Sequence, residues 1–195
     1  MARTATAPER LPFTDDDEAN RLLAGDPVAL LIGFALDQQV TVQKAFAGPL
    51  ELRKRLGHLD VARIGAMDPE TLAVTFRERP ALHRFPGAMA ERVRSLCAFL
   101  NERYGGDAAR LWREAESGED LRARLAELPG FGEMKVRTLL TLLARQFGVL
   151  PPGIQALLPD YPTLGDVRTA EELAAYQAHK RASKAARRAA AADQS

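Results

Sequence analysis

Leu128-Pro129-Gly130-Phe131-Gly132 separates two runs of helical periodicity. Before it, Leu121, Leu125 and Leu128 recur on one face; after it, Val136, Leu139, Leu140 and Leu143 continue an apolar stripe. Pro129 and Gly130 stop the first helix, and Gly132 stands where the second begins. The pattern predicts two helices joined by a tight hairpin over about residues 120–147. The glycines permit positive φ and let the backbone come close to a ligand. The first amides of the second helix have no partner within it and lie at the positive end of its dipole, a natural seat for phosphate. Phe131 is expected to pack inward and hold the turn, while Lys135 and Arg137 are candidate phosphate contacts. A helical hairpin that only packs, in a protein-interaction module, fits the same spacing and stays open as an alternative.

Outward from the hairpin, the chain reads as helices throughout. Ala, Leu and Arg dominate, Trp occurs once and Tyr three times, and no segment sustains strand alternation. Asp26-Pro27 is a helix start, followed by Val28 to Leu36, apolar all round and therefore buried. That helix ends in Asp37-Gln38-Gln39, and Thr41 can cap the next, in which Pro49 is expected to make a kink or break. Asp68-Pro69 and Phe85-Pro86-Gly87 open further helices, and Gly105-Gly106 closes the long one. Thr169 is the expected cap of the last. About ten short helices in an all-α fold follow, with residues 1–14 as a disordered leader, 15–175 as the domain and 176–195 as a basic, Ala-rich tail.

Net charge is only +1, but it is unevenly spread. From Tyr176 on there are five basic residues, Lys180, Arg181, Lys184, Arg187 and Arg188, against Asp193 alone, a net +4. Such a tail adds sequence-independent attraction to phosphates, or is simply a solvated terminus. One cysteine, Cys97, cannot form an internal disulfide or supply the thiolates of an iron–sulfur cluster, and it reads as a buried apolar side chain. His58, His83 and His179 show no metal-ligand spacing, so no metal site is expected. Trp112 reads as core. The opening residues lack the apolar run of a signal peptide, and Val28–Leu36 is too short to span a bilayer. A reducing cytoplasm, with the protein at the nucleoid as a monomer, is the expected setting.

Residues 128–143 resemble the hairpin of the helix-hairpin-helix-GPD superfamily of base-excision DNA glycosylases, which includes endonuclease III and the bacterial alkyladenine glycosylases. Residues 26–46, with Leu30-Leu31 and Asp37-Gln38-Gln39-Val40-Thr41, are similar to its early core helix, which ends in a Gln-Gln or Ala-Gln group. Phe85 to Val93 resemble the segment that opens the long helix before the hairpin. The order and span, about residues 26–148, look closest to an uncharacterised actinobacterial-type branch. The resemblance implies a two-lobed helical fold with a cleft, duplex DNA as partner, and no cofactor beyond a monovalent cation that the hairpin could hold. It also implies that Gln38 or Gln39 can fill the gap left by an extruded base. Arg84 is a further candidate for the DNA backbone.

The chain departs from that pattern at the chemistry. Lyase-type members carry a lysine shortly after the hairpin; that place falls on Met134, with Lys135 one position later and turned by about 100°. Both types carry an aspartate in the loop past the second hairpin helix, yet Gly148 to Gln155 holds no acid. Asp160, Asp166 and Asp37 are the candidate replacements. The expectation is a monofunctional N-glycosylase without lyase activity. A catalytically inactive binder or sensor of damaged DNA is the alternative.

Overall fold

The computed structural model describes residues 7–192, and side chains as far as residue 186. The described residues are all-α, with ten α-helices, two 3-10 turns and no strand. In chain order the helices are α1 (Asp17–Gly25), α2 (Pro27–Leu36), α3 (Val42–Leu56), α4 (Val61–Gly65), α5 (Pro69–Arg77), α6 (Pro86–Tyr104), α7 (Arg110–Arg113), α8 (Gly118–Ala126), α9 (Glu133–Arg145) and α10 (Ala170–Ala192). The 3-10 turns are Ile154–Leu157 and Leu164–Asp166.

Capping explains most of the boundaries. Side chains of Asp16, Asp26, Thr41, Asp60, Asp68 and Ser117 accept hydrogen bonds from the first-turn amides of α1, α2, α3, α4, α5 and α8. Each such cap is worth about 1 kcal/mol. Thr169 receives the Glu172 amide at the start of α10, as expected. Gly57 and Gly105 close α3 and α6 in the left-handed region. Pro49 does not break α3, which runs on through it. The ring is buried in the helix packing, which outweighs the single backbone bond that proline removes.

Helix α2 is the axis of the molecule, buried from Ala29 to Leu36. Helices α1 to α6 pack around it and on one another, while α7, α8, α9 and the two 3-10 turns form a second group. One continuous apolar core joins both groups. Within the first, α4 lies so close on α6 that a Cβ at Gly65 would stand 2.7 Å from the Ala98 amide nitrogen and 2.8 Å from its Cα. Neither backbone atom can step aside. Gly65→Ala should therefore cost about 1–3 kcal/mol, read as a lower denaturation midpoint at unchanged m-value.

Two expectations are corrected at the ends of the domain. The leader does not extend to residue 14: Leu11 and Phe13 are fully buried, and the Phe13 ring packs on Phe46 at 4.9 Å between centroids. The Leu11 amide donates to Asn20 O and the Thr14 amide to Asn20 Oδ1, tying the strap to α1. Residues 1–6 of the expected leader lie outside the described residues. At the other end, residue 176 is no boundary. It falls inside α10, where Leu173 is buried, Tyr176 half-buried, and Gln177 exchanges side-chain hydrogen bonds with Gln43.

The loop from Glu78 to Phe85 is held by two cations. The Arg55 side chain, 7% exposed, donates to the carbonyls of Thr75, Glu78 and Pro80 and pairs with Glu51. Lys44 donates to Ala81 O at 2.7 Å. With Leu82 buried beneath, the loop delivers His83, Arg84 and Phe85 to one end of α2.

Candidate nucleic-acid interface

The hairpin forms as its sequence indicates. Leu128 and Phe131 are buried, and the Phe131 amide donates to Leu128 O at 3.0 Å. The glycines have different reasons for being there. Gly130 has φ +79, and a Cβ on it would lie 2.9 Å from Arg92 Cδ and Nε. Gly132 has φ −80 and ψ 172, ordinary extended backbone, and a Cβ there would meet nothing within 4 Å. The expectation of positive φ thus holds for Gly130 only. At Gly132 the fold leaves the choice of residue free, and glycine keeps the approach to the α9 amides open. No side chain caps these amides, unlike the first turns of the six helices named above.

Arg92 links the hairpin to Gln38, and His83 ties Gln38 to the loop that carries Arg84 and Phe85. Arg92, from the second turn of α6, crosses Gly130 and donates from Nη1 to Gln38 Oε1 at 2.6 Å. His83, 2% exposed, donates from Nε2 to Leu36 O and Gln38 O at 3.1 and 3.0 Å, and its Nδ1 accepts the Phe85 amide. These partners fix the neutral Nε2–H tautomer. Arg84 is exposed beside them, its guanidinium 5.3 Å from the Phe85 ring centre. Gln38 is engaged by Arg92, whereas Gln39 is exposed at φ +57, a conformation few non-glycine residues adopt. Of the two glutamines, Gln39 is the one free to insert elsewhere.

Burial holds the His83 pKa below its usual 6.5, although its carbonyl partners pull the other way. The unfolded chain therefore binds the proton first as pH falls, so this contribution to stability is present at neutral pH and is lost on acidification through about pH 6.5. A His83→Gln variant should show a smaller loss of urea midpoint between about pH 6.5 and 5 than the parent protein.

Lys135 points inward, toward the end of α2. Its Nζ donates to Ala35 O at 3.2 Å, one of the last carbonyls of α2, where the helix dipole favours a cation. Burial lowers its pKa to about 8; Asp37 opposes this shift and Arg92 adds to it. Arg137 is turned along the flank of α9, paired with Glu133 and bonded to the Tyr161 hydroxyl. Neither side chain covers the first-turn amides in this arrangement.

Asp37 follows α2 directly, its amide donating to Gly33 O and Phe34 O. It lines a cleft of about 270 Å³ with Gln38, Met134, Lys135, Tyr176 and Lys180. Burial raises the pKa of its carboxyl, and the nearby Lys180 and Lys135 oppose that rise. The three candidate carboxylates therefore stand in different surroundings. Asp160 is exposed and does not line this cleft. Asp166 accepts from the amide and hydroxyl of Thr163 and pairs with Arg145, which makes it a cap of the Leu164–Asp166 turn. Neither shares the cleft with Asp37, although Asp166 borders a separate cavity with Tyr161, Tyr176 and His179. The rotation argument for Lys135 is corrected as well: Met134, 65% exposed, and Lys135 line the same cleft, and the Lys135 side chain reaches across to Ala35 O near the end of α2.

Sequence reasoning passed over Arg92, and it assigned Tyr176 and Lys180 to the basic tail rather than to the cleft. The last two stand four apart on α10 and so share a face, a signal hidden by treating residues from 176 on as a tail. Cys97 is buried and its thiol is pushed up to about 12, which leaves it inert. His58 Nδ1 accepts the Asp60 amide, His179 is exposed, and Trp112 packs partly buried against the core. Among the described residues no group of three or more His, Cys, Asp or Glu side chains is placed to hold a metal ion, and no single helix is long and apolar enough to cross a membrane. No protein-family model matches the chain, and no similar sequence is found among curated proteins.

Proposed function

We propose that this protein binds duplex DNA through the hairpin and hydrolyses the N-glycosidic bond of an extruded, damaged base in the Asp37 cleft. The observation that carries the reading is a half-buried carboxylate, flanked by two cations, in a cleft beside an uncapped helix N-terminus. The cleft is slightly smaller than pockets for drug-sized ligands, about 300–1,000 Å³, and suits a single base.

Each group has a part in that chemistry. The Gly132, Glu133 and Met134 amides receive a backbone phosphate. Gln39, exposed and next to the Arg92–Gln38 clamp, fills the gap in the stack and offsets part of the few kcal/mol that flipping costs. As the glycosidic bond lengthens, positive charge grows on the sugar, and the Asp37 carboxylate stabilises it and takes a proton from the attacking water. A carboxyl whose pKa is raised is a better proton acceptor near neutral pH. Lys135 and Lys180 keep it ionised, and their positive charge favours departure of the base as an anion.

A second reading rests on Lys135. A pKa of about 8 gives its amine a usable neutral fraction at neutral to mildly alkaline pH. Such an amine can condense with the aldehyde of an abasic sugar, forming an imine and releasing water. Borohydride added to protein and abasic DNA would trap that imine, and Lys135→Met would abolish the adduct.

The decisive assay is base release from alkylated, deaminated and oxidised duplexes, with strand cleavage followed in parallel. The hydrolytic reading expects release from at least one lesion without cleavage. Tight binding to an abasic-site duplex with no release from any lesion would favour an inactive damage binder. Absence of duplex binding at low salt would favour a protein-interaction module.

A further inference from the structure

Beyond the Asp37 cleft lies a second cavity of about 340 Å³, between the start of α3 and one face of α10. Its outer wall carries Lys180, Arg181 and Lys184, two of which stand four residues apart and share a face. No ion pair engages any of the three among the described residues. The opposite wall is the opening of α3, Thr41 to Gln43, the positive end of a 15-residue helix. Among the described residues one carboxylate borders the cavity, that of Asp37, which also lines the cleft. Lys180 borders both as well. The two cavities are therefore neighbours, one with room for a base beside a carboxylate and one walled by positive charge.

α10 holds this wall by slender means. Leu173 and Tyr176 pack beneath it, and the Gln43–Gln177 pair bridges it to α3 across the cavity floor. Three cations on one wall that share a single neighbouring carboxylate, Asp37 beside Lys180, leave a net positive charge, and an anion seated among them relieves their mutual repulsion.

We propose that Lys180, Arg181 and Lys184 form a phosphate subsite, in which the DNA strand that presents its nucleotide to the Asp37 cleft seats an adjacent backbone phosphate. This rests on the DNA reading and sharpens it. Lys180, Arg181 and Lys184 then form a wall of the nucleotide site, next to the cleft that Met134 and Lys135 line from the hairpin side. A protein or lipid surface would also be attracted by the charge. The shared border with the cleft singles out the strand whose nucleotide lies there.

The test is the salt dependence of binding to a duplex with a stable abasic-site analogue, for the full chain and two charge-reversal variants. Arg181→Glu/Lys184→Glu alters the proposed wall and spares Lys180, which borders the cleft. Lys54→Glu/Arg63→Glu makes the same charge change on α3 and α4 away from the cavity. Both pairs are exposed, and circular dichroism confirms that each variant folds. Losing two phosphate contacts should reduce the slope of log K against log salt by about 2. The expected result is that reduction, with at least a tenfold loss of affinity at low salt, in the α10 variant only. Equal losses in both variants would overturn the subsite in favour of general charge attraction. Tight, salt-dependent binding unchanged in the α10 variant would overturn the subsite and leave the hairpin reading standing. If the parent protein fails to bind the duplex at all, both readings fall.

Discussion

Asp37→Asn is expected to lower base release about 10²–10³-fold while leaving duplex binding close to that of the parent protein. The substitution keeps the shape of the side chain and removes only its charge. The contacts that end α2 are made by the backbone amide of residue 37, so the corner survives. On the proposed reading, what is lost is the anion that faces the sugar as positive charge develops. The size follows from the proposed role, since removing one preorganised electrostatic group from an active site costs about 2.7–4 kcal/mol of transition-state stabilisation. A second consequence separates a lost charge from a disordered site. Asp37 is the neighbour that holds the Lys135 pKa up against burial. In Asp37→Asn that pKa should drop further below about 8, measurable as a shifted titration of the Lys135 side chain by NMR. Full base release by this variant would remove Asp37 from the chemistry.

Gly132→Leu should weaken duplex binding by at least tenfold with no loss of stability. Glycine-to-bulky changes usually confound folding with function, and Gly130 has that difficulty. Its φ of +79 strains any other residue, and a side chain there pushes Arg92 off its line to Gln38. Gly132 is free of both, with extended backbone and open space where the side chain would go. Replacing it should leave the melting temperature unchanged or slightly raised, because the unfolded chain loses freedom. The new side chain stands over the α9 amides and blocks a phosphate from reaching them. A tenfold loss corresponds to about 1.4 kcal/mol, the scale of one good charge-assisted hydrogen bond. Unchanged affinity at low salt would remove the hairpin from the interface.

The parts of the fold legible in the sequence were those written in local chemistry. Asp26-Pro27, Thr41, Asp68-Pro69 and Gly105 cap and end helices by short-range rules, and the structure obeys them. The burial of α2 follows from its unbroken apolar run. What escaped depends on distant partners. Leu11 and Phe13 look like parts of a loose strap until Phe46 and Asn20 are placed beside them. Pro49 reads as an interruption until packing holds the helix together around it.

The site divides the same way. The hairpin announces itself by two glycines between apolar stripes. The carboxylate does not: Asp37, Asp160 and Asp166 look alike in one dimension. They differ because Asp37 shares a cleft with Met134 and Lys135 of α9, whereas Arg145 and Thr163 claim Asp166. Lys135 seemed to lie a rotation away from the cleft; the carbonyl end of α2 draws it in. Lys180 lay beyond the assumed end of the domain and turned out to share the cleft with Asp37.

The most direct test of the central claim is an NMR titration of the full chain with a duplex carrying an abasic-site analogue, following backbone amides. The account predicts that the Gly132, Glu133 and Met134 amides shift most, saturably and together, and that the shifts reverse as salt is raised. Saturable binding that leaves those three amides unmoved would contradict it.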